Sequence, residues 1–352
     1  MANEITRPRA LTRQTWGLIP VSLVGIILLL ASLSIAISVG GVQISTDTVW
    51  GVILSKLSPE LVEPTWSKGR EAIVWDIHLP RSFLAMMVGA GLAIVGASLQ
   101  AVTRNPLADP HLLGISSGGA FGAILALLHT GLFIGLMTVP LMAFFGALCA
   151  TALVFGISHF ANATSAARLV LTGVAVSFII MAAANILIFL GDAHATHTVV
   201  FWMLGSLGRA RWDQLIYPLI ILLVCGTWLL TKSAALNAMT VGDETASTLG
   251  ISVTRFRLLI FIIGALITGV MVAFSGIIGF VGLMVPHVVR MLVGGDYFRV
   301  LPVSALIGST FLVWADIAAR TVMAPEDMSI GIITGLVGGV FFIWVLSRRE
   351  LA

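Results

Sequence analysis

The sequence predicts an all-α integral membrane protein of about ten transmembrane helices, arranged as two inverted five-helix halves. Three observations carry that prediction. Apolar residues make up 58% of the chain against 10% charged, with a mean hydropathy of +1.06, the balance of a chain solvated by lipid. The 352 residues divide into apolar runs of the length, about 20 residues, that crosses a bilayer. A single long polar island, TKSAALNAMTVGDETASTLGISVTRFR from Thr231 to Arg257, breaks the pattern past mid-chain.

Taken in order, the first run, 18–39, follows Arg7, Arg9 and Arg13. It is too long for a signal-peptide core and lacks a small-residue cleavage site, so it reads as a retained helix behind a tail of residues 1–17. Further spans are expected at 80–103, 112–130, 137–158, 168–190, 213–231, 256–275, 279–293, 300–322 and 329–347. An even number puts both termini on one side. Counting Lys and Arg in the connections puts twelve of the nineteen, among them Lys232, Arg255, Arg257, Arg348 and Arg349, with the termini. The positive-inside rule then makes the termini and the island cytoplasmic. Cys149 and Cys225 lie within apolar runs, as small packing residues would.

Two spans echo one another. RSFLAMMVGAGLAIVGASLQ from Arg81 and RLLIFIIGALITGVMVAFSG from Arg257 share a leading Arg, a mid-span Gly-Ala and a stripe of small residues. They are spans two and seven, so each half holds five spans and the halves are inverted, as in many transporters.

The chain carries no phosphate-binding loop, no H-E-x-x-H and no G-x-S-x-G elbow, and its charge is too small and scattered for nucleic acid. His194 and His197 in GDAHATH fit a solvated outer loop better than a ligand site. Acidic residues fall in loops or near span ends, with Asp316 in VWADIAAR the one ambiguous case. A transporter coupled to ions normally needs an intramembrane carboxylate or histidine, so a solute moved by this chain draws its energy from elsewhere. Small residues in spans two, three and ten suit close helix packing. Those of span ten form a broad stripe that could also line a path, and Asn185 is a lone amide within span five.

The island, within loop 232–256, reads as a short helix presented to the cytoplasm. Asp243 and Glu244 favour a helix start, Gly250 after Leu249 favours a stop, and Ala246 with Leu249 offers a small apolar face. Such an element suits attachment to a soluble motor subunit, and equally an ordinary amphipathic loop.

These stretches resemble the permease subunits of bacterial ABC importers for iron–siderophore complexes, haem and cobalamin. The motifs are IHLPRSFLAMMVGAGLAIVGASLQAVTRNPLADPHLLGISSGGAFGA (from Ile77), VFWMLGSLGRARW (from Val200), VGDETASTLGIS (from Val241) and SGIIGFVGLMVPHVVRMLVGGDYFRVLP (from Ser275). ADIAARTV and MSIGIITGLVGGVFFIWVL follow, so the resemblance covers nearly the whole chain, 1–352, as one permease domain.

The resemblance implies a homodimer in the bacterial inner membrane, with cargo passing along the dimer axis. Two cytoplasmic ATPase subunits use ATP and magnesium, so this chain itself binds no cofactor or metal and is not an enzyme. A periplasmic binding protein delivers cargo, an iron–siderophore complex first and haem or cobalamin second. Gly242, Asp243, Glu244, Ala246, Leu249 and Gly250 match the helix that couples to the ATPase. Arg81 and Arg320 match outer basic positions that dock the binding protein. His78 departs from the basic residue common before LPR, which weakens that contact or makes it pH-sensitive. Ser177 and Asn185 in span five, and Thr334 and Gly335 in span ten, match pathway helices, and Ser165 and Arg168 match the inner gate. An ion-coupled secondary transporter is the more distant alternative. A scaffold that moves nothing would not need two halves with small-residue stripes.

Overall fold

The structure is a computed structural model that describes residues 17–40, 43–60, 62–161 and 166–347. In the first half, α1 (Leu18–Ser38) is followed by α2 (Thr46–Leu57), α3 (Lys68–Ala72) and a π-helical turn, Ile73–His78, that runs into α4 (Leu79–Thr103). Then come α5 (Ile115–Leu125), prolonged as a π-helix to Thr130, α6 (Thr138–Phe160), α7 (Ala166–Leu190) and α8 (Ala193–Met203). The second half holds α9 (Trp212–Thr231), α10 (Ser233–Val241), α11 (Asp243–Thr248), α12 (Val253–Ser275), α13 (Val281–Val293), α14 (Tyr297–Thr321) and α15 (Ile330–Ser347).

Among the described residues, seven helices are long and apolar enough to cross a membrane, and three shorter apolar ones, at 115–130, 281–293 and 330–345, stand at the other expected spans. The ten expected segments are therefore all helical, with ends shifted by a few residues. The eighth is short because residues 276–280 stay non-helical up to Phe280, whose φ of 69° is left-handed. Composition did not reveal α2, α3, α8 or α10, which are too short or too polar to read as spans.

The bundle is organised around α4, 89% of whose most apolar stretch is buried, against 11% for α1. Helices in lipid gain no hydrophobic energy by meeting, so close contact depends on small residues. Gly89 of α4 lies on Gly308 of α14, Gly96 of α4 on Gly282 of α13, and Gly118 of α5 on Gly146 of α6; a Cβ at any of them would overlap the facing backbone. The small residues of spans two and three are thus packing residues.

The contacts also bear out the two related halves. α4 packs on α13 and α14 of the other half, and α12 packs on α5 and α6. The two cross each other, with Gly91 of α4 against Ile267 and Met271, and Gly264 of α12 against Val95. They run antiparallel, since the start of α12 hydrogen-bonds the end of α4. The start of α1 and the end of α15 lie at the island's end of the bundle, because the end of α1 and the start of α15 are hydrogen-bonded at the other.

Candidate functional site

The island forms two short helices, α10 and α11, joined at Gly242, whose φ of 151° breaks the helix between them. α11 ends as the sequence suggests. Gly250 takes a left-handed φ of 82°, its N–H bonds Ser247 O, and the Ile251 N–H reaches back to Ala246 O, a Schellman stop. Asn237 holds α10 to the start of α14, donating to Asp296 and accepting from the Tyr297 N–H.

Asp243 points inward. Arg257, at the start of α12 and 3% exposed, donates to both Asp243 carboxylate oxygens at 2.9 and 3.0 Å. Its Nε donates to Val102 O, at the end of α4, at 3.0 Å. Arg104 adds a looser contact to Asp243 at 3.7 Å. One buried guanidinium thus ties the island to the second span of each half. Sequence reasoning passed over this role of Arg257, although its place in the echo matches that of Arg81.

The remaining island residues divide into two sets. Ala246 is fully buried, whereas Leu249 is 67% and Val241 71% exposed, and Glu244 is exposed. The expected apolar face of Ala246 with Leu249 is therefore split: Ala246 is buried within α11, while Leu249, which caps the end of α11, is exposed, as is Val241.

The opposite end carries a second ion cluster. Arg81 Nε donates to Asp316 at 2.8 Å and its Nη1 to Asp327 at 2.5 Å. Arg320 pairs with Asp316 at 3.1 Å and donates to Val39 O and Ala36 O at the end of α1. His78 Nδ1 lies 2.7 Å from Ile37 O. Arg81, Arg320 and His78 are 6%, 2% and 6% exposed. Guanidinium groups so enclosed and paired hold α1, α4 and α14 together, and little of Arg81, Arg320 or His78 is left exposed for the expected contact with a soluble partner. Asp316, the ambiguous acid, is 1% exposed and committed to two arginines.

Apart from Ser165, the expected pathway residues lie on α7 and α15. Ser165 lies outside the described residues. Arg168 is exposed near the start of α7, Ser177 turns its hydroxyl to Gly173 O, and Asn185 is exposed on a face shared with Phe178 and Phe189. Thr334 is fully buried with its hydroxyl on Gly331 O, while Gly335 and Gly339 face open space. His197 is exposed beside Phe201, their rings 4.7 Å apart.

Among the described residues, ten apolar helices in two interlocked halves, with a polar element anchored to both, define a multi-span membrane transport subunit. The model of the FecCD transport family matches residues 26–348, and the chain belongs to that family. It is 37% identical over 292 residues to the hemin transport system permease protein of Yersinia pestis, covering 81% of this chain and 87% of the relative. It is 33% identical to the molybdate import system permease protein of Haemophilus influenzae, over 90% and 92% of the two chains. A solved metal-chelate type ABC transporter in an inward-facing conformation superposes with a TM-score of 0.81 at 29% identity, covering 94% of this chain and 99% of that one.

Proposed function

We propose that this chain is the transmembrane permease subunit of an ATP-driven importer that moves an iron–siderophore complex across a bacterial inner membrane. It works as a pair with a second copy, on two cytoplasmic ATPase subunits, and receives cargo from a periplasmic binding protein. The termini and the island face the cytoplasm. The observation that carries this reading is the junction of Asp243, Arg257 and Val102 O. A push on the exposed side of α11 is passed by one buried side chain to both α4 and α12. Commitment of Asp316 to two arginines supports the same reading, because an ion-coupled carrier needs a carboxylate free to bind its ion.

The outward residues Val241, Glu244 and Leu249 meet the ATPase, and the exposed apolar faces of α7 and α15 meet the second copy around the path. Relatives named for hemin and for cobalamin keep those two as the alternative cargoes. The test is uptake by cells lacking and then regaining the chain, with ferric siderophore, haem and cobalamin offered separately. Restored uptake of ferric siderophore alone supports the assignment. Restoration of haem or cobalamin uptake instead reassigns the cargo, and ATP-independent uptake rejects the importer reading.

A further inference from the structure

At the Arg81 end of the bundle, bordering the Arg81–Asp327 pair at Gly208, lies a cavity of about 630 Å³, well within the size of small-ligand sites. Its floor is the end of α12 at Ala273 and Phe274, and its sides are the starts of α6, at Val139, and of α9, at Gln214. Leu132 and Leu136 form one lip, Arg209 and Arg211 the other. We infer that this cavity binds an anionic phospholipid, with its phosphate on Arg209 and Arg211 and its acyl chains along Leu136, Val139 and Phe274.

Charge and polarity both point to that occupant. Arg209 is exposed and makes no ion pair among the described residues. Among the described residues Arg211 pairs with the exposed Asp213 alone, at 3.3 Å, and Asp213 does not line the cavity. Two guanidinium groups line the one cavity, and each can bind a phosphate bidentately. The facing lip carries Leu132, Phe133, Ile134 and Leu136, all at least 50% exposed. Such a run is costly in water and costs nothing within a leaflet. Nearby, Trp212 donates to Trp75 O and Tyr217 stacks on Phe274, amphipathic rings of the kind that gather where acyl chains give way to headgroups. A water-soluble anionic chelate would satisfy the arginines but leave the apolar lip unused.

The test uses the purified, delipidated full chain in detergent. Thermal unfolding and retained lipid, counted by native mass spectrometry, are measured with phosphatidylglycerol, with phosphatidylcholine of the same acyl chains, and with water-soluble glycerol phosphate. Phosphatidylglycerol is expected to raise the unfolding temperature and to stay bound, while the other two leave the protein unchanged. Arg209→Ala with Arg211→Ala should weaken retention at least about tenfold, equivalent to about 1.4 kcal/mol, while the lipid-free protein unfolds as before. Leu136→Asp, on the exposed lip, should weaken it with both arginines intact. Equal stabilisation by phosphatidylcholine or by glycerol phosphate overturns the proposal, as does undiminished retention in the double variant. An arginine-dependent response to a soluble ferric chelate, without one to phosphatidylglycerol, also overturns it.

Discussion

Arg81 and Arg257 stand at corresponding places at opposite ends of the bundle, each opening the second span of its half and each clamping a carboxylate brought by another element. Arg81 holds Asp316 and Asp327, and Arg257 holds Asp243. α4 runs 22 residues from Arg81 to the end that meets Arg257, about 33 Å at the rise of an α-helix. The inverted repeat thus places one buried arginine latch at each end of the bundle, each with its own carboxylate partners.

The two island acids should separate by phenotype. Glu244→Lys puts a reversed charge on the exposed side of α11, so ATPase attachment should fall while the unfolding temperature of the purified chain stays unchanged. Asp243→Asn strips the buried Arg257 of its anion. We expect that to destabilise by about 2 kcal/mol, below the 3–5 kcal/mol of a fully buried pair because Asp243 is 41% exposed. Identical behaviour of the two variants in co-purification and unfolding would refute the division.

Asp316→Asn leaves both Arg81 and Arg320 without their shared buried anion and should cost about 3–5 kcal/mol. Asp327 is 51% exposed, so Asp327→Asn should cost about 1 kcal/mol or less. Denaturant unfolding in one detergent compares them, and equal losses would mean that burial does not set the strength of this cluster.

Helix crossings give a third contrast. Gly96→Ala drives a methyl group into the Gly282 backbone and should destabilise by about 1–3 kcal/mol or more. Gly335→Ala meets nothing in this chain. Its unfolding should be unaffected, whereas transport falls if the α15 face lies along the path. A stable Gly96→Ala protein would be incompatible with the tight α4–α13 crossing.

At the end of α11, Gly250→Ala forces a Cβ into left-handed backbone at a φ of 82°, a strain of about 1 kcal/mol. Hydrogen exchange across residues 243–251 should rise locally, with little change elsewhere. Unchanged protection there would argue against the Schellman stop.

Span number, span positions and the island's helix with its Gly250 stop were legible in the sequence, because hydropathy and glycine chemistry act through neighbouring residues. The echo of Arg81 in Arg257 was legible too, though not what either residue holds. Their partners lie up to 246 positions away, and no local pattern encodes which carboxylate a buried guanidinium will meet. The same limit explains why the enclosure of Arg81, Arg320 and His78, and the burial of Ala246 beside an exposed Leu249, were not legible in the sequence. Composition, through the solvation of apolar runs in lipid, determined that this protein crosses a membrane about ten times. Only the tertiary structure, through close glycine crossings and buried ion pairs between distant segments, decided which charges hold the bundle together and which remain outside for a partner.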